Sequence, residues 1–267
     1  MKAVTSIKPG LPVVRLDPGL QRALGIVALL AFWQAASTVG LNSYYVSSPL
    51  AIAGQVALWV ETGYLWPHVL ATIASTLAAF ILAATVATAF ALLTASSDLL
   101  GRVVSPLVFT AYSTPKVVLA PLLILWVGIG RPPVIILGFI ASFFVVFFNV
   151  LSGVRDVPQA YVNVAAILGA KAWATAIKFR LPAAAPFVLS GLHQGLIYAF
   201  HGVILGEMTA SDTGIGYVII YSATAMDSTG VFAGLAVIGA ISYCLVALLK
   251  GAVARGIAPA IDAGPVA

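Results

Sequence analysis

Between Thr62 and Ser97 the chain carries no Asp, Glu, Lys or Arg, and His68 is the only side chain there that titrates near neutral pH. A helix that crosses the roughly 30 Å hydrocarbon core of a bilayer needs about 20 mostly apolar residues, because no water is present to satisfy stray backbone N–H and C=O groups. The stretch from Val69 to Ala95 meets that requirement without ambiguity. The rest of the chain follows suit: 61% of its 267 residues are hydrophobic and 8% charged, against about 45–50% and about 25% in soluble domains. Disorder is excluded by the same balance.

Cut on the same rule, the sequence gives six spans: Leu24–Leu41, Val69–Ala95, Val103–Ile129, Pro133–Leu151, Leu181–Gly206 and Val231–Leu249. Asn42, Tyr44, Tyr45, Ser47, Ser48 and Pro49 form a loop after the first, and Leu50–Val60 reads as a short amphipathic piece. The third span is interrupted by Pro106, Pro115 and Pro121, with Lys116 in its middle. No small-residue cleavage site clearly follows the first run, so it reads as a span and not as a removable leader. Transmembrane β-barrels show segments of alternating polarity; these runs are apolar on every side. The fold class predicted is an all-α membrane protein, a six-helix bundle.

The few charges orient it. With an N-terminus in the cytoplasm, that side receives Lys2, Lys8, Arg15, Arg22, Arg102, Arg155, Lys171, Lys178, Arg180, Lys250 and Arg255, eleven of the 13 basic residues. The other side receives Arg131 with Glu61, Glu207, Asp212 and Asp227, and Lys116 stays at membrane depth. Basic residues in short loops favour the cytoplasmic side, so both termini are expected there. The net charge of +5 records insertion, and it is no nucleic-acid footprint because the basic residues are scattered between apolar runs. Cys244, the single cysteine, closes no intrachain disulfide and belongs to no zinc pattern.

The loop from Gly153 to Arg180 is far longer than the about 2–8 residues that usually join helices in bundles. Asp156 and Pro158 mark a helix start. Tyr161, Val164, Ala165 and Leu168 follow at i, i+3, i+4 and i+7, one helical face, and Gly169 supplies a left-handed terminator. A second helical stretch begins at Lys171 and meets the fifth span at Leu181-Pro182. Composition alone leaves two readings of this apolar stripe: an interfacial helix resting in the headgroups, or a surface for a partner.

Inside the bilayer, Lys116 stands out because a cation at a helix centre costs about 2.5–3.5 kcal/mol on insertion scales. It either lines a path for an anionic substrate or sits at a helix break against a carbonyl. His193, Gln194, Tyr198, His201 and Glu207 give the fifth span most of the bundle's polar groups, and Gln194, Tyr198 and His201 share one face by spacing. That face borders a central aqueous route or serves helix packing. No GxGxxG, GxxxxGK[ST], GxSxG or HExxH pattern occurs, so the glycines of Asp212–Gly216 are no nucleotide loop and no enzymatic constellation is visible. An ion-coupled secondary transporter or channel is the competing function; it predicts inverted repeats and intramembrane carboxylates, and neither is evident near the middle of any span.

Ala165, Gly169 and Leu181-Pro182 resemble the cytoplasmic "EAA" loop of permease subunits of bacterial ABC importers. The likeness extends to Ser113–Gly130, Val150–Val154, Leu181–Pro186 and Gly206–Gly216, and upstream to Ser47–Pro49 and Tyr64–His68, within about Leu20 to Lys250. These segments are similar to the nitrate, sulfonate, taurine and bicarbonate branch of that family. The resemblance implies a type I importer permease in the bacterial inner membrane, with a transmembrane domain over 24–250 between cytoplasmic tails 1–23 and 251–267. Its coupling loop, 153–180, would dock on an ATPase through Tyr161, Asn163, Val164, Ala165, Leu168, Gly169, Leu181 and Pro182. Asn163 and Val164 replace the usual Glu and first Ala of the motif. The implied partners are a second permease copy in a homodimer, two ABC ATPases that bind ATP and Mg, and an extracytoplasmic solute-binding protein. The implied cargo is a small anion of the nitrate, sulfonate or taurine kind, and Lys116, Gln194, Tyr198, His201 and Glu207 are the candidates for its route.

Overall fold

The computed structural model describes residues 17–39 and 45–261, and among these every regular element is helical. Lys2, Lys8, Arg15, Asn42 and Tyr44 lie outside the described residues. The elements are α1 (Pro18–Val39), α2 (Pro49–Glu61), α3 (Leu65–Ala95), α4 (Asp98–Ser113), α5 (Leu119–Val127), α6 (Arg131–Arg155), α7 (Gln159–Ile167), α8 (Ala172–Thr175), α9 (Leu181–Ala183), α10 (Ala185–Ala210), α11 (Ile215–Thr224) and α12 (Ser228–Ile261). Five helices, α1, α3, α6, α10 and α12, are long and apolar enough to cross a membrane; α4 and the segment Lys116–Val127 make a sixth span bent by 78°.

Only one of the three prolines expected to interrupt that span breaks it. Pro106 lies inside α4 and Pro121 in the first turn of α5. Pro115 forces Thr114 out of the helical region, to ψ 130°, because its ring crowds the preceding residue. A 3₁₀ turn, Lys116–Val118, then restarts the helix.

α6 is the central post and packs chiefly on α10 and α3. Lipid offers no hydrophobic drive for helices to pair, so close approach through small residues has to supply the contact energy. Both neighbours provide it. Ala79, Ala83, Ala87 and Ala91 recur every fourth residue along α3, and all are fully buried. Gly191, Gly195, Gly202 and Gly206 line one side of α10. A Cβ on Gly202 would lie 2.7 Å from the Leu137 carbonyl oxygen and 2.8 Å from the Gly138 Cα, so backbone meets backbone there. Toward one end, Phe90, Phe143, Phe144 and Phe147 close the core in edge, tilted and stacked ring contacts. α1 stays outside this core, tied by Trp33 to the Ser47 carbonyl and the Phe232 ring.

Helix boundaries shift from expectation around the long loop. α6 runs on to Arg155 and Asp156 is its C-terminal cap, so α7 begins only after Pro158. α8, a π-helical turn (Ala176–Arg180) and α9 lead into α10, which starts at Ala185 and not at Leu181. α11, a ten-residue helix between α10 and α12, was not foreseen. The basic side chains Arg102, Arg155 and Arg180 gather at the α7 end, while Arg131 starts α6 at the opposite end, where Gly130 N–H donates to the Ala210 carbonyl.

Candidate functional site

α7 is short and closes as a Schellman motif: Ala170 N–H donates to the Ala165 carbonyl at 2.9 Å, and Gly169 N–H to the Ala166 carbonyl at 3.0 Å. Gly169 takes φ +69°, the left-handed state in which glycine carries no Cβ penalty. The stripe read from the sequence is divided by the structure. Ala165 is 0% exposed and turned to the body of the protein, where α7 rests on the π-helical turn. Tyr161, Val164 and Leu168 are exposed, joined by Ile167 at 85% exposure, which lies outside the i, i+3, i+4, i+7 spacing. Asn163 is exposed and its Oδ1 accepts from Gln159 Nε2 at 3.3 Å, one turn away. Leu181 packs into the core cluster around Phe147 and Ala176, and Pro182 lies exposed beside it. The eight loop residues thus separate into an outward ridge and an inward anchor.

On α10, Gln194, Tyr198 and His201 lie on an exposed face. Gln194 Nε2 donates to Ser190 Oγ at 3.3 Å, and the Tyr198 and His201 rings sit 6.2 Å apart. The exposed face of α3 is different in kind: Leu70, Leu77, Ile81, Leu82, Val86 and Leu93 cover it, and Thr85 spends its hydroxyl on the Ile81 carbonyl. One face suits acyl chains; the other needs protein or water against it.

Glu207 is also on α10 but is turned away from that face, 2% exposed. Its Oε2 accepts from Gly216 N–H and from the Thr72 hydroxyl, each at 2.9 Å. Thr72 Oγ1 in turn accepts from Ile215 N–H at 2.9 Å, and His68 Nδ1 from Gly214 N–H at 3.1 Å. Three successive amides at the start of α11 are therefore satisfied by side chains of α3 and α10. The positive end of the helix dipole adds to the attraction for the carboxyl group. Position 214 admits only glycine: φ is +103°, and a Cβ would fall 2.1 Å from Glu207 Cδ. Glu207 and the Gly-Ile-Gly run are thus one joint, and Thr72 and His68 are members that sequence reasoning missed.

Lys116 sits just past the Pro115 break. Its Nζ donates to the Tyr112 carbonyl and lies 4.3 Å from the Tyr112 ring centre and 5.4 Å from that of Phe144. The last carbonyls of α4 lack helical partners, and a cation there is favoured by the dipole and by both ring faces. The carbonyl contact at a helix break that the sequence allowed for Lys116 is present. No cluster of three or more His, Cys, Asp or Glu suited to a metal exists among the described residues.

Known proteins resemble the chain in sequence and in fold. The riboflavin transport system permease protein RibX of Chloroflexus aurantiacus is 31% identical over 260 residues, covering 92% of this chain and 97% of its own length. The putative aliphatic sulfonates transport permease protein SsuC of Bacillus subtilis is 28% identical, over 91% and 92% of the two chains. The taurine transport system permease protein TauC of Escherichia coli is 27% identical, over 82% of each. In three dimensions, a chain from inward-facing conformations of the MetNI methionine ABC transporter superposes with a TM-score of 0.65 at 18% identity, over 72% of this chain and 95% of that one. Residues 87–262 match the family described as the binding-protein-dependent transport system inner membrane component. A match over that much of the sequence, from α3 through α12, places the chain in that family of ABC permeases.

Proposed function

We propose that the chain is the membrane-spanning half of an ATP-driven importer, with its α7 end and both termini in the cytoplasm. The observation that carries this reading is the pairing of two exposed faces on one bundle: the apolar ridge of α7 and the polar face of α10. The basic side chains at the α7 end support the orientation. A second copy, in a homodimer, covers the polar face of α10 and encloses a route between the two. Two ATPase subunits, which hold ATP and Mg, receive the α7 ridges through Tyr161, Val164, Ile167 and Leu168. Ala165, Gly169, Leu181 and Pro182 act behind that ridge, fixing it to α10, so that a displacement of α7 is passed to the route. Asn163, held by Gln159, offers the ATPase a hydrogen bond where an acid would offer charge.

The solute is a small organic anion of the sulfonate or taurine kind, delivered by an extracytoplasmic binding protein. SsuC and TauC support that class by their names. The side chains exposed on α10 support it too, since Gln194, Tyr198 and His201 all offer hydrogen-bond donors and no carboxylate is exposed there. RibX favours a second reading, riboflavin, an aromatic solute that the Tyr198 and His201 rings would suit. Uptake by proteoliposomes that contain the permease, its ATPase and its binding protein separates the two. Labelled taurine is expected to enter with ATP and riboflavin not to. In the same vesicles Gln194→Ala with His201→Ala should lower uptake about tenfold, equivalent to roughly 1.4 kcal/mol, while Ile81→Ala on the apolar α3 face should not. Unchanged uptake in the double variant, with normal assembly, removes α10 from the route. Lys116→Gln is a separate arm: as a helix cap it lowers thermal stability and spares uptake, and as a route residue it does the reverse.

A further inference from the structure

A cavity of about 660 Å³ opens beside the start of α3, between the end of α2 and the α11–α12 turn, and it belongs neither to the α7 ridge nor to the polar face of α10. Small-molecule sites have volumes of about 300–1,000 Å³. Gln55, Trp59, Thr62, Tyr64, Tyr221 and Asp227 supply its polar and aromatic lining. The segments that build it, residues 49–64 and 215–231, contain no Lys or Arg but hold two acids, Glu61 and Asp227. Asp227 Oδ1 accepts from Gly230 N–H at 3.0 Å and so caps α12. One such hydrogen bond leaves most of a carboxylate's acceptor capacity open, and none of the residues lining the cavity is basic. Thr62 Oγ1 gives its proton to the Leu58 carbonyl at 2.7 Å, so toward a ligand it can only accept.

The aromatic part is continuous. Ring centres of Trp59 and Tyr64 lie 5.8 Å apart, those of Tyr64 and His68 4.9 Å, of His68 and Tyr217 6.0 Å, and of Tyr217 and Tyr221 5.9 Å. This run of rings begins and ends at the cavity, with Trp59 and Tyr221. Tryptophan and tyrosine also collect at membrane interfaces, but an interfacial anchor faces outward, and Trp59 is 7% exposed. A carboxylate, further acceptors and electron-rich rings together select a positive group. An anion would meet the Asp227 charge, and a hydrocarbon would strip water from the acceptors without replacing it. A cation over aromatic faces is attracted by the ring quadrupole, most strongly where water is partly excluded.

We infer that this cavity binds a small organic ammonium ion, its charged nitrogen held by the Asp227 carboxylate and by the Trp59, Tyr64 and Tyr221 rings. Bound there, the ion joins the end of α2 and the start of α3 to the turn that leads into α12. The site stands on its own lining and needs neither the route along α10 nor the ATPase contact of α7.

Saturation-transfer NMR titration of the full chain in maltoside micelles tests this with choline and with 3,3-dimethyl-1-butanol, which has the same shape and no charge. Choline should bind at least about tenfold more tightly than the neutral alcohol. Asp227→Asn keeps an oxygen to cap α12 but removes the charge, and should weaken choline binding about tenfold. Tyr221→Ala, at an exposed ring, should weaken it about threefold, which keeps the test decisive if the cap variant is unstable. Asp212→Asn makes the same change of net charge outside the cavity and should alter binding less than about twofold. Equal binding of choline and the alcohol, or choline binding unchanged in both the Asp227 and the Tyr221 variants, overturns the proposal. Binding of the anion isethionate in place of choline would make the cavity an anion site and overturn it too.

Discussion

Glu207 shows how a single carboxyl group can hold three helices together. Its contacts reach Thr72, 135 residues away, and Gly216, nine residues away, so one side chain of α10 joins α3 to the start of α11. Replacement by alanine leaves the buried Gly216 amide without its acceptor, at about 1–3 kcal/mol for such a group, while the Thr72 hydroxyl keeps the His68 carbonyl. Glu207→Ala is therefore expected to lower the melting temperature of the detergent-purified protein, and Glu207→Gln, which keeps an acceptor oxygen, to lower it less. Equal losses would mean that the charge and not the hydrogen bonds matters. Gly214→Ala should be at least as harmful as Glu207→Ala, because strain at φ +103° and a clash with the carboxyl group act together. None of this joint was legible in the sequence. Glu207 stood among route candidates because a lone acid near a span end says nothing about its distant partners, and Thr72 looked like any hydroxyl in an apolar run.

At the scale of elements, small residues decide which faces meet. Gly202→Ala places a methyl group against the backbone of α6, with no flexible side chain to yield, and overpacking of this kind costs about 1–3 kcal/mol. Gly239→Ala on α12 meets nothing within 4 Å and should be neutral or slightly stabilising. Thermal unfolding of the two variants side by side checks the contrast; equal melting temperatures would show that the α6–α10 approach tolerates adjustment. Much at this scale could be read beforehand. The number of spans and the short helix in the long loop follow from hydrophobic period and length, and the four-residue alanine repeat of α3 was there to be seen. The bend was readable only as three candidate prolines: Pro121 falls in a first turn, where a helix accommodates it, while Pro106 is carried inside α4 and Pro115 breaks the span, a difference that local sequence does not announce. The division of the α7 stripe was hidden, since periodicity gives an apolar face without saying what covers it. Ala165 faces inward on the helix that rests on the π-helical turn, and Ile167 joins the outer ridge.

For the whole molecule, the sorting of charge and the sorting of exposed faces agree. Basic side chains gather at the α7 end, and the span helices differ in what they show outward: hydrocarbon on α3, polar groups on α10. A family that works with separate binding proteins gives both faces a use, and the proposed account joins them: α7 receives motion from an ATPase and α10 borders the route that the motion opens. In a Cys244→Ser background, cysteines at Ile167 or Leu168 test that account most directly, through a thiol-to-amine crosslinking reagent that joins them to lysines of the ATPase subunit in the assembled complex. The account predicts crosslinks from both positions that change in yield when ATP is added, and none from a cysteine at the inward-facing Ala165. Absence of any crosslink from Ile167 and Leu168, in a complex that still hydrolyses ATP and takes up solute, would contradict it.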